Sequence, residues 1–291
     1  MPEIDAVVII CARHASRRLP GKVFKKIAGR PALGHILARV REMGLPTILA
    51  YPEKESALFV EFAMDPKWRG EGQDHVLLYS GQDDSPLHRM VAALDHFQMM
   101  PKWVIRVTHD DILVDAKTAI DLLKKCEEED AGYGCTPGIV EGAGVEVIRT
   151  GNLRNAAQLR KEPTEFVSYF VRGEGMPHPK QVKMEPRKSV KFSYRLTMDY
   201  QEDVNLLEAL LRKTGPDADL DSVCKYLSDN TQMIYLNALP IYSIYTCARN
   251  AEKWVGNTID SVKKFFKEYG KDAYEHIIVD DASTDLSVEK I

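Results

Sequence analysis

Two hydrophobic periods trade places along the chain. Ala6–Ala12 is a continuous apolar run, the pattern of a parallel strand buried on both faces. From Pro31 to Met43 the apolar residues Leu33, Ile36, Leu37 and Val40 recur at helical spacing, and Pro31 suits a first helical turn. Thr47–Tyr51, His75–Ser80 and Trp103–Thr108 read as strands, and Ser85–Phe97 and Asp115–Glu128 as helices. This alternation predicts an α/β fold with a doubly wound, mostly parallel sheet.

The pattern then changes. Ala131–Thr150 is rich in glycine and reads as strand, turn, strand, with irregular backbone near a ligand or a hairpin. Asn152–Lys161 and Thr164–Val171 read as helices, Gly173–Arg187 as a loop and Ser189–Leu196 as a strand. Gln201–Arg212 and Leu220–Leu227 are helical, and no repeat at solenoid spacing appears. A new unit begins near Leu239, with a strand over Pro240–Cys247, a helix over Lys253–Tyr269 and a strand over His276–Val279 that ends in Asp280-Asp281. A lone βαβ module leaves its strand edges unpaired. It therefore either docks on the first domain or begins a longer protein, and the second is the expectation. The expected domains are 1–236 and an incomplete module at 237–291.

Composition narrows the function classes. With 291 residues, 44% hydrophobic, 28% charged and a net charge of −4, the chain reads as globular. No long Lys/Arg run forms a phosphate-tracking stripe, which argues against nucleic acid as a partner. The apolar runs are of strand length, so no membrane insertion is expected. Met1–Asp5 has no basic region leading into a signal-like segment. Five scattered cysteines (Cys11, Cys126, Cys135, Cys224, Cys247) form no CxxC pair and predict reduced thiols in a cytoplasmic protein.

The chemistry gathers in Ala12–Pro31 (ARHASRRLPGKVFKKIAGRP), directly after the first buried strand. Ligands of open α/β sheets sit at the carboxyl ends of strands. A triphosphate needs cations and backbone donors, and this loop offers Arg13, Arg17, Arg18, Lys22 and Gly21. By charge alone it could equally be a solvated basic loop. The order of residues, R-x-x-S-x-R-L-P-G-K followed by I-x-G-x-P, resembles the nucleotide-binding signature of CMP-sugar synthetases. The resemblance is nearest to cytidylyltransferases of the spore-coat polysaccharide type. Arg13, Ser16, Arg18, Leu19, Pro20, Gly21, Lys22, Ile27, Gly29 and Pro31 match, while Cys11 stands where Gln or Pro is common.

Other segments fit the same family. Gly81–Arg89 (GQDDSPLHR) resembles the stretch beside the cytidine, with Gly81, Asp84, Leu87 and Arg89 matching and Ser85-Pro86 departing. The same stretch also reads as a helix cap at Asp84 or Ser85. The resemblance implies that Ala12, Arg13, Ser16, Arg18, Gly21, Lys22, Gly81, Asp84 and Arg89 bind nucleotide. Arg106–Asp115 (RVTHDDILVD) and Tyr194–Leu206 (YRLTMDYQEDVNL) resemble the family's two metal segments, which makes Asp110 and Asp199 the expected Mg²⁺ ligands. His109 stands in place of the usual Gly, and Asp203 reads as an acid in the first turn of the next helix. Glu146 and Glu165 match residues near the acceptor, whereas Gly144 and Phe166 stand where Asp and His are common.

The implied reaction joins CMP from CTP to an acidic, sugar-like acceptor and releases pyrophosphate. Arg18, Lys22, Asp110 and Asp199 would carry the catalysis, and a homodimer is implied. Alternatives are another nucleoside triphosphate or an inactive nucleotide-binding scaffold of a longer glycosyltransferase. Ser243–Val262 and Ile277–Asp285 resemble the opening of a family 2 glycosyltransferase, of the GT-A type.

Overall fold

The computed structural model describes residues 5–69, 76–237, 242–268 and 274–291. The predicted positions His75, Leu239, Pro240, Ile241 and Tyr269 lie outside them. The chain divides into two compact units, Met1–Leu236 and Asn237–Ile291.

The first unit is built on a seven-stranded sheet. Its strands are β1 (Ala6–Cys11), β2 (Thr47–Pro52), β3 (Val76–Gly81), β4 (Trp103–Thr108), β5 (Tyr133–Cys135), β6 (Glu146–Arg149) and β7 (Gln181–Lys183). The spatial order is β3-β2-β1-β4-β6-β5-β7. All neighbours run parallel except β6, which is antiparallel to both β4 and β5. The sheet is therefore mostly parallel.

Alternation along β1 shows why the sheet is doubly wound. Val8 and Ile10 enter one core, with Leu33 and Ile36 of α1 (Ala32–Arg41), Leu122 of α4 (Ala116–Glu128) and Leu207 of α7 (Gln201–Thr214). Val7, Ile9 and Cys11 enter the other, with Leu87, Met90 and Leu94 of α3 (Pro86–His96) and Leu153 of α5 (Thr150–Leu159).

 The helix that carries Leu153 runs Thr150–Leu159. Each face of the central strand is thus covered by its own helical layer, which fits its unbroken apolar run. The first core also takes Val223 of α8 (Leu220–Asp229).

Three elements differ from the sequence reading. Ser189–Leu196 is not a strand: Lys188–Val190 forms a 3-10 turn, and a single bridge joins Glu141 to Arg195. Its alternation reflects packing rather than pairing, because Val190 and Leu196 are buried while Phe192 and Tyr194 are partly buried against the core. The segment read as a loop, Gly173–Arg187, contains β7, which pairs with β5. Within Thr164–Val171 only Val167–Phe170 (α6) is helical. Sequence reasoning also passed over α2 (Ser56–Met64), whose Leu58, Val60 and Met64 are exposed and blur the apolar stripe.

The described residues of the second unit include β8 (Tyr242–Ala248), α9 (Val255–Phe265) and β9 (Tyr274–Asp280). The strands pair in parallel from Tyr242↔Tyr274 to Ala248↔Asp280. The helix starts at Val255 and closes in a 3-10 turn at Phe266–Glu268, so it is shorter than the 253–269 span predicted. Among the described residues no helix is long and apolar enough to cross a membrane.

Candidate active site

Adjacent strands deliver the site. β1 and β4 pair in register through Cys11↔Thr108, so Ala12 and His109 leave neighbouring strand ends together. The cleft there has a volume of about 150 Å³, and Ala12, Arg13, Asp84, Arg89, Asp110 and Glu165 are among its lining residues.

The loop after β1 is held by short backbone bonds. The amides of Ser16 and Gly21 donate to the His14 carbonyl at 2.9 and 3.2 Å, and Ser16 Oγ accepts from the Leu19 amide at 3.4 Å. Gly21 has φ +69°, which a side chain rarely adopts. The loop then delivers Lys22 into the interior. Its ammonium is buried and lies 2.9 Å from Asp110 Oδ2, 2.9 Å from Asp199 Oδ1 and 3.0 Å from the Met198 carbonyl. Arg18 pairs with the same Asp199 oxygen at 2.7 Å, and its guanidinium lies 5.2 Å from the centre of the Tyr200 ring. Asp110 and Asp199, far apart in sequence, therefore converge on one point beside two cations.

Backbone contacts enforce that convergence. The Met198 amide donates to the Asp110 carbonyl at 3.0 Å. Asp203 is fully buried, and its Oδ2 accepts from the amides of Asp199 and Tyr200, both at 2.8 Å. Its other oxygen pairs with Arg195 at 2.5 Å. Asp203 thus does more than favour the helix dipole: it fixes the turn that presents Asp199.

The electrostatics are divided among neighbours. Burial pushes the Asp110 carboxyl up, but His109 and the Lys22 ammonium outweigh it and hold the group well below the usual carboxylate range. Asp111 next to it is pushed up to about 7 by burial and by the Asp110 charge. Burial lowers the His109 imidazole to about 4. Its Nδ1 lies 3.2 Å from the Cys11 carbonyl, and its buried Nε2 has no hydrogen-bond partner among the described residues.

Several expected nucleotide contacts shape the cleft instead of offering free charge. Arg89 is buried and donates to the carbonyls of Asp83 at 2.9 Å, Gln82 at 3.0 Å and Ala12 at 3.3 Å. Ser85, rather than Asp84, caps α3, and its Oγ also accepts from the Thr164 amide at 3.3 Å. Asp84 stays on the cleft wall. A Cβ on Gly81 would lie 2.6 Å from a Tyr79 ring carbon. Glu146 spends its oxygens on Arg106 and the Tyr133 hydroxyl, so it reaches the cleft only through Arg106. Glu165 lines the cleft and is paired with Arg13 across it.

Could this set hold a divalent cation? Asp110 and Asp199 present hard oxygen donors to a single point, the place now served by the Lys22 ammonium. Among the described residues no group of three or more metal-binding side chains exists. Two carboxylates suit Mg²⁺, which keeps several waters and completes its shell with substrate phosphates.

A family model described as Cytidylyltransferase matches residues 7–238. The chain belongs to the cytidylyltransferase family. It is therefore a CTP-dependent nucleotidyltransferase, and the strand-end cleft is where that fold places its chemistry. A second family model, Glycosyl transferase family 2, matches residues 243–291. The spore coat polysaccharide biosynthesis protein SpsF of Bacillus subtilis is 25% identical over 236 residues, covering 78% of this chain and 95% of the relative. A cytidylyltransferase structure from Leptospira borgpetersenii is 18% identical with a TM-score of 0.67, over 81% of this chain and 99% of that one. A CMP:2-keto-3-deoxy-manno-octonic acid synthetase complexed with CTP is 14% identical with a TM-score of 0.50, over 72% of this chain and 98% of that one. These two structures show the shared fold.

Sequence reasoning singled out Asp110, Asp199, Arg18 and Lys22, which do meet. It missed Arg106 and the positioning role of Asp203.

Proposed function

We propose that this cytidylyltransferase activates a sugar-like acidic acceptor for a cell-surface polysaccharide. The relative named for spore coat polysaccharide biosynthesis and the glycosyltransferase-like residues 243–291 support that setting. The observation that carries the site assignment is the meeting of Asp110 and Asp199 beside Lys22 and Arg18.

The CTP phosphates lie along Arg13–Lys22, and the base lies toward Asp84 and the loop held by Arg89. Asp110 and Asp199 are the residues that would hold Mg²⁺. When bound, Mg²⁺ supplies charge neutralisation on the phosphate oxygens. Arg18 and Lys22 balance the charge that builds on the departing pyrophosphate. The acceptor oxygen, its proton given up to solvent, attacks the α-phosphorus in line, and the α–β bridging bond breaks as pyrophosphate leaves. Catalysis is then mainly positioning and electrostatics. A cytoplasmic homodimer is the proposed working form, which sedimentation of the purified protein checks.

The test is pyrophosphate release from CTP, with UTP, GTP and ATP in parallel, across acidic sugars, sugar phosphates and phosphonates. Release with CTP and one acceptor class is expected. Asp110→Asn and Asp199→Asn should each lower the rate by on the order of 10²–10³-fold while the fold survives. Near-normal rates in both would remove them from the reaction.

A further inference from the structure

Glu55 is an acid out of place. It ends the short 3-10 turn Glu53–Glu55 and stands at the N-cap of α2, yet its side chain makes no cap bond to its own helix. Both oxygens reach back to the loop after β1. Oε2 accepts from the His14 amide at 2.6 Å and Oε1 from the Ala15 amide at 2.8 Å. The residue is 7% exposed. A carboxylate is costly to bury, and no ion pair reaches this one among the described residues, so the two amides and the nearby start of α2 offset that cost.

The clamp falls where ladder bonding stops. The Ala12 amide still follows the sheet, donating to the Ala50 carbonyl at 3.0 Å. Two residues later Glu55 takes over. His14 is then pinned from both sides, because its own carbonyl accepts from Ser16 and Gly21. Gly21 directly precedes Lys22, and Arg13 directly precedes His14, so one carboxylate sets the course of the segment that carries the cations.

We propose that Glu55 is a positioning residue for nucleotide binding, clamping the His14 and Ala15 amides so that the Arg13–Lys22 loop is set before CTP arrives. This rests on the reading of that loop as the phosphate site. The carboxylate acts through the loop and need not touch the substrate.

The test uses the full chain. Glu55→Gln keeps one acceptor oxygen and turns an amide group toward an N–H, and Glu55→Ala removes both acceptors. CTP affinity by calorimetry should fall about 10-fold in Glu55→Gln and about 100-fold in Glu55→Ala, as expected for bonds to a charged group. The KM for acceptor should stay unchanged, and kcat should move less than the KM for CTP. Hydrogen exchange of the His14 and Ala15 amides, without nucleotide, should speed up in Glu55→Gln. A residue that only supported the fold would lower melting temperature and leave CTP affinity in place.

Unchanged exchange at both amides overturns the clamp, and equal or tighter CTP binding by Glu55→Gln overturns its role in binding. Arg13→Ala separates the two readings. If Arg13→Ala weakens CTP binding and Glu55→Gln does not, the Glu55 proposal falls alone. If neither variant changes CTP affinity, the phosphate-loop reading falls with it.

Discussion

Glu146 shows how one residue serves a cleft it does not line. It faces Arg106 directly across the antiparallel pair β4–β6, and also accepts from Tyr133. Burial pushes its carboxyl up, but Arg106 and the bonds from Ser168 and Tyr133 outweigh this, leaving the group below its usual 4.5. A depressed carboxylate adds stability that is present above the unfolded pKa and is lost as pH falls through the folded one. Glu146→Gln should therefore cost roughly 3–5 kcal/mol at pH 7, since it leaves the Arg106 charge buried and unpaired. The gap to the native protein should close as pH falls below 4.5. Urea melts at pH 7 and in that acid range check this, and an equal gap at both would count against the ion pair. Lys22 carries a related lesson. Its sequence context placed it in the phosphate loop, and the fold pairs its ammonium with Asp110 and Asp199. The residue was legible from the motif, whereas its partners were not, because spacing along a chain says nothing about which strand ends become neighbours.

At the scale of elements, the glycine-rich stretch between β5 and β6 was read as irregular backbone near a ligand or a hairpin. The hairpin is there, since β5 and β6 pair antiparallel. One glycine has a stricter reason. Gly142 has φ +98°, and a Cβ there would lie 2.3 Å from the Leu196 carbonyl carbon and 2.5 Å from the Thr197 nitrogen. Its own carbonyl accepts from Leu113 at 3.2 Å. The neighbouring Glu141 carbonyl accepts from Leu196 at 2.8 Å, in place of the ladder that a strand over Ser189–Leu196 would have made. This close approach holds the segment that leads to Asp199. Gly142→Ala must force the two backbones apart, and should cost about 1–3 kcal/mol in strain alone. Turnover should fall further than stability, because Asp199 moves with the segment. A thermal melt paired with a CTP turnover assay checks it, and normal values of both would mean that the contact yields easily. Strands and helices of the main sheet were legible because their periods are long and regular. The exposed apolar residues of α2 hid that helix, and packing against the core imitated a strand at Ser189–Leu196.

The two units differ in what holds them up. Met1–Leu236 has helical layers on both faces of its central strands, and all of the Asp110–Asp199 cluster lies within it. Among its described residues, Asn237–Ile291 has one parallel strand pair and one main helix, with Tyr245, Trp254 and Phe265 exposed. So small a unit buries little apolar surface against the entropy of ordering its chain. The cytidylyltransferase chemistry should therefore be separable from it. A chain ending at Leu236 should keep the native CTP affinity and rate of pyrophosphate release, because no residue of the proposed site is removed. Its thermal transition should match the main transition of the full chain, while residues 237–291 alone should exchange their amides rapidly. Calorimetry and turnover on the shortened chain decide the matter. Loss of CTP binding or of pyrophosphate release on removing 237–291 would overturn this separation.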